Sequence, residues 1–142
     1  MIKPFLTRDI SLVMQFWIAT QEERYPKSVR TVLDGYETVM KHYLEDDALF
    51  CYEIEGQCVG YVALTPQMEI IGLYVQKSHR YSGIGSALVE AMTSKFTQVY
   101  VTLAEQDTGL MRFFASNSFA LVHVDHGTRN QVILQYYQEE RH

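Results

Sequence analysis

One short stretch combines residue types that could hold an anion. The residues Arg80-Tyr81-Ser82-Gly83-Ile84-Gly85 follow an apolar run and precede a segment with helical apolar spacing, which indicates a strand, a glycine turn and a helix N-terminus. The first N–H groups of a helix have no partner within it and carry partial positive charge, so they stabilise a phosphate. Gly83 and Gly85 lack a Cβ and would let phosphate oxygens approach the main chain, while Arg80 adds a permanent charge. The alternative is an ordinary glycine-containing turn between a strand and a helix.

Two familiar phosphate-binding loops do not match this stretch. A dinucleotide-binding loop needs a third glycine three residues after Gly85, where this chain has Leu88. A nucleotide P-loop ends in a Lys followed by Ser or Thr, and no such pair closes this glycine turn. The spacing therefore argues against both kinds of nucleotide loop.

The stretch resembles the R/Q-x-x-G-x-G/A signature of the GCN5-related N-acetyltransferase (GNAT) superfamily, whose loop holds the pyrophosphate of acetyl-coenzyme A. The resemblance extends upstream through the strand Glu69 to Val75, downstream through the helix to Phe96, and weakly over most of the chain. It is closest to the small single-domain bacterial members. The resemblance implies an α/β (α+β) fold in which helices flank a central mixed, mostly antiparallel sheet, with acetyl-coenzyme A as the cofactor.

The same resemblance assigns residues to the cofactor site. In the family, the central strand and the next strand splay apart, and the pantetheine arm lies in the gap like an added strand. Main-chain groups of Leu73, Tyr74 and Val75 are expected to hydrogen-bond the pantetheine, with an N–H near Leu73 polarising the acetyl carbonyl. The residues expected to wrap the pyrophosphate, behind Arg80 at the entrance, are Tyr81, Ser82, Gly83, Ile84, Gly85 and Ser86. Lys77 could meet an outer phosphate or could simply be solvated.

The implied reaction is attack by a neutral amine on the acetyl thioester. An alkylamine has a pKa of ~10.4 and is mostly protonated at pH 7, so a base is needed. Glu69 is the candidate, because it stands eleven residues before Arg80, the spacing at which histone-type members of the superfamily carry their general-base glutamate. The alternative is that Glu69 begins its strand at the surface and only solvates the strand end.

The chain departs from the family pattern where the leaving thiolate should be reprotonated. Relatives carry a tyrosine in a pattern like F-Y-x-x-x-G-F, and the matching residues here are Phe113 to Phe119. Phe114 replaces the tyrosine, Ser118 replaces the glycine, and Asp107 stands where many relatives have an asparagine that contacts the cofactor. Losing one general acid typically costs ~10²- to 10⁴-fold in rate rather than all activity. The general acid is therefore left unassigned.

Two functions remain open. The first is an active N-acetyltransferase acting on the primary amine of a small molecule, a protein lysine or a protein N-terminus. The second is a catalytically degenerate acyl-coenzyme A-binding or sensing module that acts through a partner, and Phe114 motivates it. The acceptor site is expected in the loop Gln21 to Ser28, the second helix and the last strand pair. The sequence leaves open the acceptor, whether the acyl group is strictly acetyl, and the oligomeric state, a homodimer included.

The elements that must position these residues alternate between strand and helix patterns. Strands are predicted over Ile2 to Leu6, Ala48 to Ile54, Gln57 to Leu64, Met68 to Val75, Val99 to Leu103, Phe119 to Val124 and Gln131 to Tyr137. Helical spacing covers Ile10 to Ile18 (with Thr7 or Asp9 as cap), Val29 to Tyr43, Ile84 to Phe96 and Leu110 to Asn117. Glu55-Gly56 is predicted as a hairpin turn and Gln21 to Ser28 as a polar loop.

Length and composition predict one domain over residues 1–142. The chain is 47% hydrophobic, and no Pro-, Gly- or Ser-rich linker divides it. Because the N-terminus lacks a secretory pattern and no apolar run approaches the ~20 residues of a membrane helix, a cytoplasmic protein without membrane contact is expected. The net charge of -5 argues against broad nucleic-acid binding and is compatible with an amine-bearing acceptor. Acidic clusters such as Glu22-Glu23 are expected to be solvated surface.

Neither the cysteines nor the histidines predict a further site. Counting outward from the hairpin turn pairs Glu53 with Cys58 and leaves Cys51 out of register, which favours free thiols over a disulfide. The segment His123 to His126 could suggest a metal site. On a strand, however, His123 and Asp125 share one face while His126 points away, so no metal is expected.

Overall fold

The computed structural model describes residues 2–4, 10–24, 49–125 and 127–137. The strands in these ranges are β1 (Ile2–Pro4), β2 (Leu49–Ile54), β3 (Gln57–Leu64), β4 (Ile70–Val75), β5 (Tyr100–Ala104), β6 (Phe119–Asp125) and β7 (Gln131–Tyr136). The helices are α1 (Ile10–Arg24), α2 (Ile84–Lys95) and α3 (Thr108–Ser116), with a short 3-10 helix at Lys77–His79. The predicted α/β order is confirmed. The predicted cap at Thr7 or Asp9, the helix over Val29 to Tyr43, and His126 lie outside the described residues.

The strands form two antiparallel groups. Four pair in the order β1-β2-β3-β4, and three pair in the order β5-β7-β6. The β2–β3 hairpin turns at Glu55 and Gly56, whose φ angles of 51° and 80° belong to the left-handed turn that matches strand twist. Glu53 pairs with Cys58, as predicted, and both cysteines are free thiols, with Cys51 buried.

The two groups of strands meet at one point and then diverge. Glu69 and Tyr100 form a single parallel bridge, and the Tyr100 N–H donates to the Met68 carbonyl at 2.9 Å. Beyond this bridge, and within the part of the chain that the structure describes, β4 pairs with β3 alone and β5 with β7 alone. The expected gap between the central strand and the next is therefore present, with its narrow end at Glu69.

Helices cover both faces of this arrangement. On one face, α2 buries Ile84, Leu88, Val89 and Met92 in a core shared by strands of both groups. Leu88, which stands where a dinucleotide loop would need glycine, is fully buried. On the other face, α1 packs Val13 and Phe16 against Leu49, Cys51, Tyr61 and Ala63. The core thus holds β3 and β4 rigidly from both sides.

The first helix is longer than the sequence pattern predicts. α1 continues to Arg24, so the prediction of a loop beginning at Gln21 is wrong for residues 21–24; residues 25–28 are outside the described part. The helix can continue past Gln21 because Gln, Glu and Arg are good helix formers and the next helix-breaking residue in the sequence is Pro26. This extra turn carries Glu23 to the end of β4.

Among the described residues, the helices are too short or too polar to span a lipid bilayer. No group of three or more His, Cys, Asp or Glu side chains among the same residues could hold a metal ion.

Candidate active site

The N-terminus of α2 lacks a side-chain cap. Gly83 occupies the N-cap position in the left-handed region, at φ 88° and ψ 2°, and offers no side-chain acceptor. The first main-chain bond of the helix runs from the Ala87 N–H to the Gly83 carbonyl at 3.0 Å. Ile84, Gly85 and Ser86 precede Ala87, so their N–H groups have no carbonyl partner within the helix. These donors and the helix dipole are suited to bind an anion.

The turn before the helix is held in a concave shape. Tyr81 and Gly83 both have positive φ angles, 63° and 88°, on either side of Ser82. The Ser82 hydroxyl donates to the His79 carbonyl at 2.6 Å, which ties the turn to the short 3-10 helix. Turns that alternate left-handed and right-handed residues present successive N–H groups toward one point. The side chain of Tyr81 is fully exposed at the rim.

Arg80 is held by three contacts within the protein. Its Nε donates to the Val75 carbonyl at 2.8 Å, and its Nη2 donates to both carboxylate oxygens of Glu23, at 2.9 and 3.1 Å. Its guanidinium lies 5.3 Å from the centroid of the Tyr74 ring. Glu23 is exposed, as expected for solvated surface, and the sequence did not predict that the last turn of α1 places its carboxylate against Arg80. Lys77 is 3.9 Å from the same carboxylate and mostly exposed.

A cavity of about 560 Å³ lies between this turn, β4 and α3. It brings together eight of the predicted cofactor residues: Leu73, Tyr74, Val75, Arg80, Tyr81, Gly83, Gly85 and Ser86. Four residues not assigned from the sequence also line it: Glu23, His79, Leu110 and Phe113. A Cβ on Gly85 would come within 3.3 Å of the Phe113 ring, so the glycine lets α3 pack closely against the start of α2.

The remaining predicted cofactor residues do not line this cavity. Ile84 is 5% exposed and anchors α2 in the core, so only its main chain is available at the helix start. The Ser82 side chain is used within the turn. Asp107 occupies the N-cap position of α3 without a side-chain cap bond, and its carbonyl accepts the Met111 N–H.

The inner edge of β4 presents main-chain groups to the gap. The Gln76 N–H donates to the Val59 carbonyl, so the main chain of Gln76 faces β3. Successive residues of a strand alternate in direction, which makes Tyr74 face β3 and makes Leu73 and Val75 face the gap. The Val75 carbonyl accordingly accepts Arg80 Nε. The prediction for Tyr74 is thus corrected, because this residue meets the cavity through its ring and not through its main chain.

Glu69 lies at the narrow end of the gap, just before the paired part of β4. Its N–H donates to the Thr65 hydroxyl at 3.1 Å, and its carbonyl accepts the Thr65 N–H at 2.8 Å. Met68 takes a φ of 72°, which is why the paired strand begins only at Ile70. Thr65 is itself buried, at 9% exposure, so the position of Glu69 is fixed by the fold.

A second cavity, of about 480 Å³, contains Glu69. Its other lining residues are Trp17, Tyr61, Ile70, Ile71, Gly72, Leu73, Val101, Thr102, Leu103, Leu110, Phe114, Arg129 and Gln131. Leu73 and Leu110 line both cavities, so the two adjoin along the middle of β4. A half-buried carboxylate at one end of the gap and an anion-binding turn at the other therefore share a continuous surface.

Phe114 is a core residue with one side on the second cavity. It is 2% exposed, and its ring packs edge-on against Phe113 and Phe119 at centroid distances of 5.2 and 5.1 Å. It offers no proton donor. Ser118, which replaces the family's glycine, takes a φ of 70°, the left-handed conformation that glycine adopts most easily. Ser118 thus keeps the backbone conformation that the family's glycine would adopt, whereas Phe114 lacks the hydroxyl of the family's tyrosine.

Three contacts of the site had no sequence pattern to reveal them. Glu23 is 57 positions from Arg80, and Arg129 lies in the turn between β6 and β7, far in sequence from β4. Thr65 precedes Pro66, and nothing in the sequence distinguishes it from other turn residues. Phe113 and His79 had a cue, since each adjoins a residue of the family pattern, Phe114 and Arg80 respectively.

Solved structures share the fold over nearly the whole chain. The ribosomal-protein-alanine N-acetyltransferase from Brucella melitensis has a TM-score of 0.76 at 16% identity, covering 97% of this chain and 99% of that chain. The PaiA N-acetyltransferase from Thermoplasma acidophilum, in complex with coenzyme A, has a TM-score of 0.78 at 12% identity, with 97% and 98% covered. YncA from Salmonella typhimurium, with its cofactor acetyl-CoA, has a TM-score of 0.72 at 15% identity, with 100% and 95% covered.

The family assignment rests on sequence as well as on shape. Comparison with curated protein sequences gives no significant match. The model of the acetyltransferase (GNAT) family matches residues 12–119, which include most of α1, both edges of the gap, the glycine turn and the helix that carries Phe114. The expected fold is confirmed by this match and by the structural neighbours. The chain belongs to the GNAT family of acetyltransferases.

Proposed function

We propose that the chain is an N-acetyltransferase that transfers an acetyl group from acetyl-coenzyme A to a primary amine. One observation carries the proposal: the uncapped start of α2 and the unpaired edge of β4 open onto the same cavity. Coenzyme A has the matching chemistry, because it joins a pyrophosphate to an extended arm that contains amide groups. The Thermoplasma enzyme in complex with coenzyme A and YncA with acetyl-CoA share this fold, which supports the choice of cofactor.

In this proposal, the chain binds the cofactor mainly through its main chain. The N–H groups of Ile84, Gly85 and Ser86 donate to the pyrophosphate, and Arg80 adds charge at the edge of the cavity. The main chain of Val75 faces the gap. Its carbonyl accepts Arg80 Nε, so its N–H is the group left to bind the cofactor. We assign the Val75 N–H to a pantetheine amide and the Leu73 N–H to the acetyl carbonyl, where it would stabilise developing negative charge.

Glu69 serves as the base in the same proposal. Acetyl-coenzyme A supplies a thioester whose carbonyl carbon the amine attacks as the carbon–sulfur bond breaks. Glu69 accepts the proton that the amine must lose, through a water molecule in the second cavity. Its main-chain bonds to Thr65 hold the Glu69 backbone at the narrow end of the gap, on the side of Leu73 opposite the glycine turn, and the residue lines the second cavity.

Phe114 supports a second candidate function. The residue that matches the family's tyrosine is a buried phenylalanine, so the chain supplies no proton to the leaving thiolate from this position. A thiol has a pKa of ~8.5, which lets a thiolate leave at neutral pH and take its proton from water. Turnover is thus compatible with Phe114, but an acyl-coenzyme A-binding module without turnover is the alternative.

The first experiment tests the cofactor by thermal shift. Acetyl-coenzyme A and free coenzyme A should both raise the melting temperature, since a ligand at 100 times its Kd stabilises by about 2.7 kcal/mol. A nicotinamide dinucleotide is the control and should have no effect, because the glycine turn lacks the third glycine. Absence of a shift with either coenzyme form would refute both candidate functions.

The second experiment separates the two functions by measuring turnover. Release of free thiol is followed with acetyl-coenzyme A and a panel of alkylamines, amino acids, peptides and polyamines. Thiol release that requires an amine, with the acetylated amine as product, supports the transferase. Stabilisation by coenzyme A without acetylation of any acceptor would instead support the binding module.

A further inference from the structure

Among the described residues that line the second cavity, one carries a negative charge and one a positive charge. Glu69 is the carboxylate and Arg129 is the guanidinium, and the other twelve described lining residues are uncharged. Arg129 is exposed and forms no hydrogen bond or ion pair with any of the described residues. A guanidinium that lines a cavity and has no partner among the described residues is suited to bind a carboxylate of a ligand.

The turn that carries Arg129 is fixed on both sides. The Gly127 N–H donates to Asn130 Oδ1 at 3.0 Å, which closes the turn on itself. The Asn130 carbonyl accepts the Glu105 N–H at 2.8 Å, which ties the turn to the end of β5. The next residue, Gln131, pairs with Ala104. The guanidinium is therefore presented from a defined position and not from a free loop.

Glu69 and Arg129 lie near opposite ends of β5. Glu69 bridges to Tyr100 at the start of β5, whereas Gln131 pairs with Ala104 at its end. Tyr100 and Ala104 are four residue steps apart, a rise of ~13 Å. Because Arg129 and Glu69 both line the cavity and both have long side chains, the ligand needs to span only part of that distance. An amine and a carboxylate separated by several carbon atoms would fit this arrangement.

We infer that the second cavity selects acceptor amines that also carry a carboxylate, with Arg129 binding the carboxylate while the amine faces Glu69. This inference rests on the proposed transferase function and names its substrate class. It disfavours polyamines, because a second ammonium group would face the guanidinium of Arg129 instead of an acid. Arg129 acts as a specificity residue and takes no part in bond making.

The test compares acceptors that differ only in the carboxylate. Acetylation of 6-aminohexanoate and 4-aminobutyrate is measured beside hexylamine, butylamine and a polyamine. In the unchanged protein, the amino acids should have the higher kcat/KM. Arg129→Gln should lower kcat/KM for the amino acids by about 10- to 100-fold, the range for losing a charged hydrogen bond, and leave the alkylamines nearly unchanged. Equal loss for both classes would overturn the inference.

The matched control is Arg112→Gln. Arg112 is an exposed arginine on α3 that lines neither cavity, so its replacement removes the same charge away from the site. It should leave the ratio of amino acid to alkylamine turnover unchanged. If Arg112→Gln shifted this ratio as much as Arg129→Gln, the selectivity would come from net charge and the inference would fail.

A binding measurement keeps the inference separable from the proposed function. With coenzyme A present, 6-aminohexanoate should stabilise the unchanged protein against thermal unfolding, and Arg129→Gln should reduce that stabilisation. Because this readout needs no turnover, an inactive protein that shows the difference would refute the transferase while supporting the carboxylate site. No stabilisation by 6-aminohexanoate, or the same stabilisation in both proteins, would refute the site.

Discussion

Replacing Glu23 with Gln should tighten the binding of coenzyme A. The Glu23 carboxylate lies 2.9 and 3.1 Å from Arg80 Nη2 and lines the cavity of the glycine turn, so it adds negative charge beside the proposed pyrophosphate position. Arg80 should keep its place without Glu23, because the Val75 carbonyl and the Tyr74 ring still hold it. The substitution therefore removes the repulsion between the Glu23 carboxylate and the pyrophosphate, and it leaves the hydrogen-bond donors of Arg80 and of the glycine turn in place.

The size of the effect follows from the geometry. A pyrophosphate bound to the side of the Arg80 guanidinium that faces away from Glu23 lies about 7 Å from the Glu23 carboxylate. This distance is the sum of two hydrogen-bond lengths and the width of the guanidinium group. At this distance in water, the Glu23 carboxylate repels the two negative charges of the pyrophosphate by about 1.2 kcal/mol. Screening at 0.15 M salt reduces this to about 0.5 kcal/mol, and 0.01 M salt leaves about 0.9 kcal/mol. The affinity should rise about 2-fold and 5-fold, respectively.

Isothermal titration with coenzyme A at these two salt concentrations measures the effect. The control is Glu55→Gln, which removes the same charge from an exposed residue of the β2–β3 turn and should leave the affinity nearly unchanged. An unchanged or weaker affinity of Glu23→Gln at low salt would refute the reasoning. It would mean that Glu23 orients Arg80 for the phosphate more than it opposes the phosphate.

Three further substitutions test the rest of the site. Glu69→Gln should lower kcat by about 10²- to 10⁴-fold, with little change in coenzyme A affinity, whereas Glu90→Gln on the exposed face of α2 should be neutral in steady-state kinetics. Gly83→Ala and Gly56→Ala place a Cβ in open space at φ 88° and 80°, so both should lose about 1 to 2 kcal/mol of stability in denaturant unfolding. Only Gly83→Ala should also weaken coenzyme A binding, by about 10-fold. Phe114→Ala should lower the free energy of unfolding by about 3 to 5 kcal/mol, and a loss below 1 kcal/mol would contradict its place in the core.

Features built from neighbouring residues could be predicted from the sequence. The glycine turn is one, because its donors are main-chain groups whose placement depends on a few consecutive residues. The pairing of Glu53 with Cys58 is another, since a two-residue turn sets the register of its hairpin. The order of strands and helices followed from apolar spacing for the same reason.

Features that depend on distant segments could not be predicted in this way. The pair between Glu23 and Arg80 exists only because α1 packs across β3 and β4 and extends one turn further than its apolar stripe. The position of Arg129 depends on the bond between Asn130 and Glu105. The absence of a hydroxyl at Phe114 was visible in the sequence, but its burial beside Phe113 and Phe119 was not. The roles of Glu69 and the cofactor residues stay predictions until the substitutions are measured.

The divergence of β4 and β5 has a consequence for self-association. A sheet edge with unpaired main-chain groups is a common place for another chain to add a strand. Here the inner edges of β4 and β5 face each other from Glu69 outward, and core-packed helices cover both faces. A strand inserted between the two edges could pair with both only where they lie about 9.6 Å apart, which diverging edges offer at one depth. The divergence therefore disfavours pairing of an inserted strand with both edges at once, while it leaves their hydrogen-bonding groups open to a slender ligand.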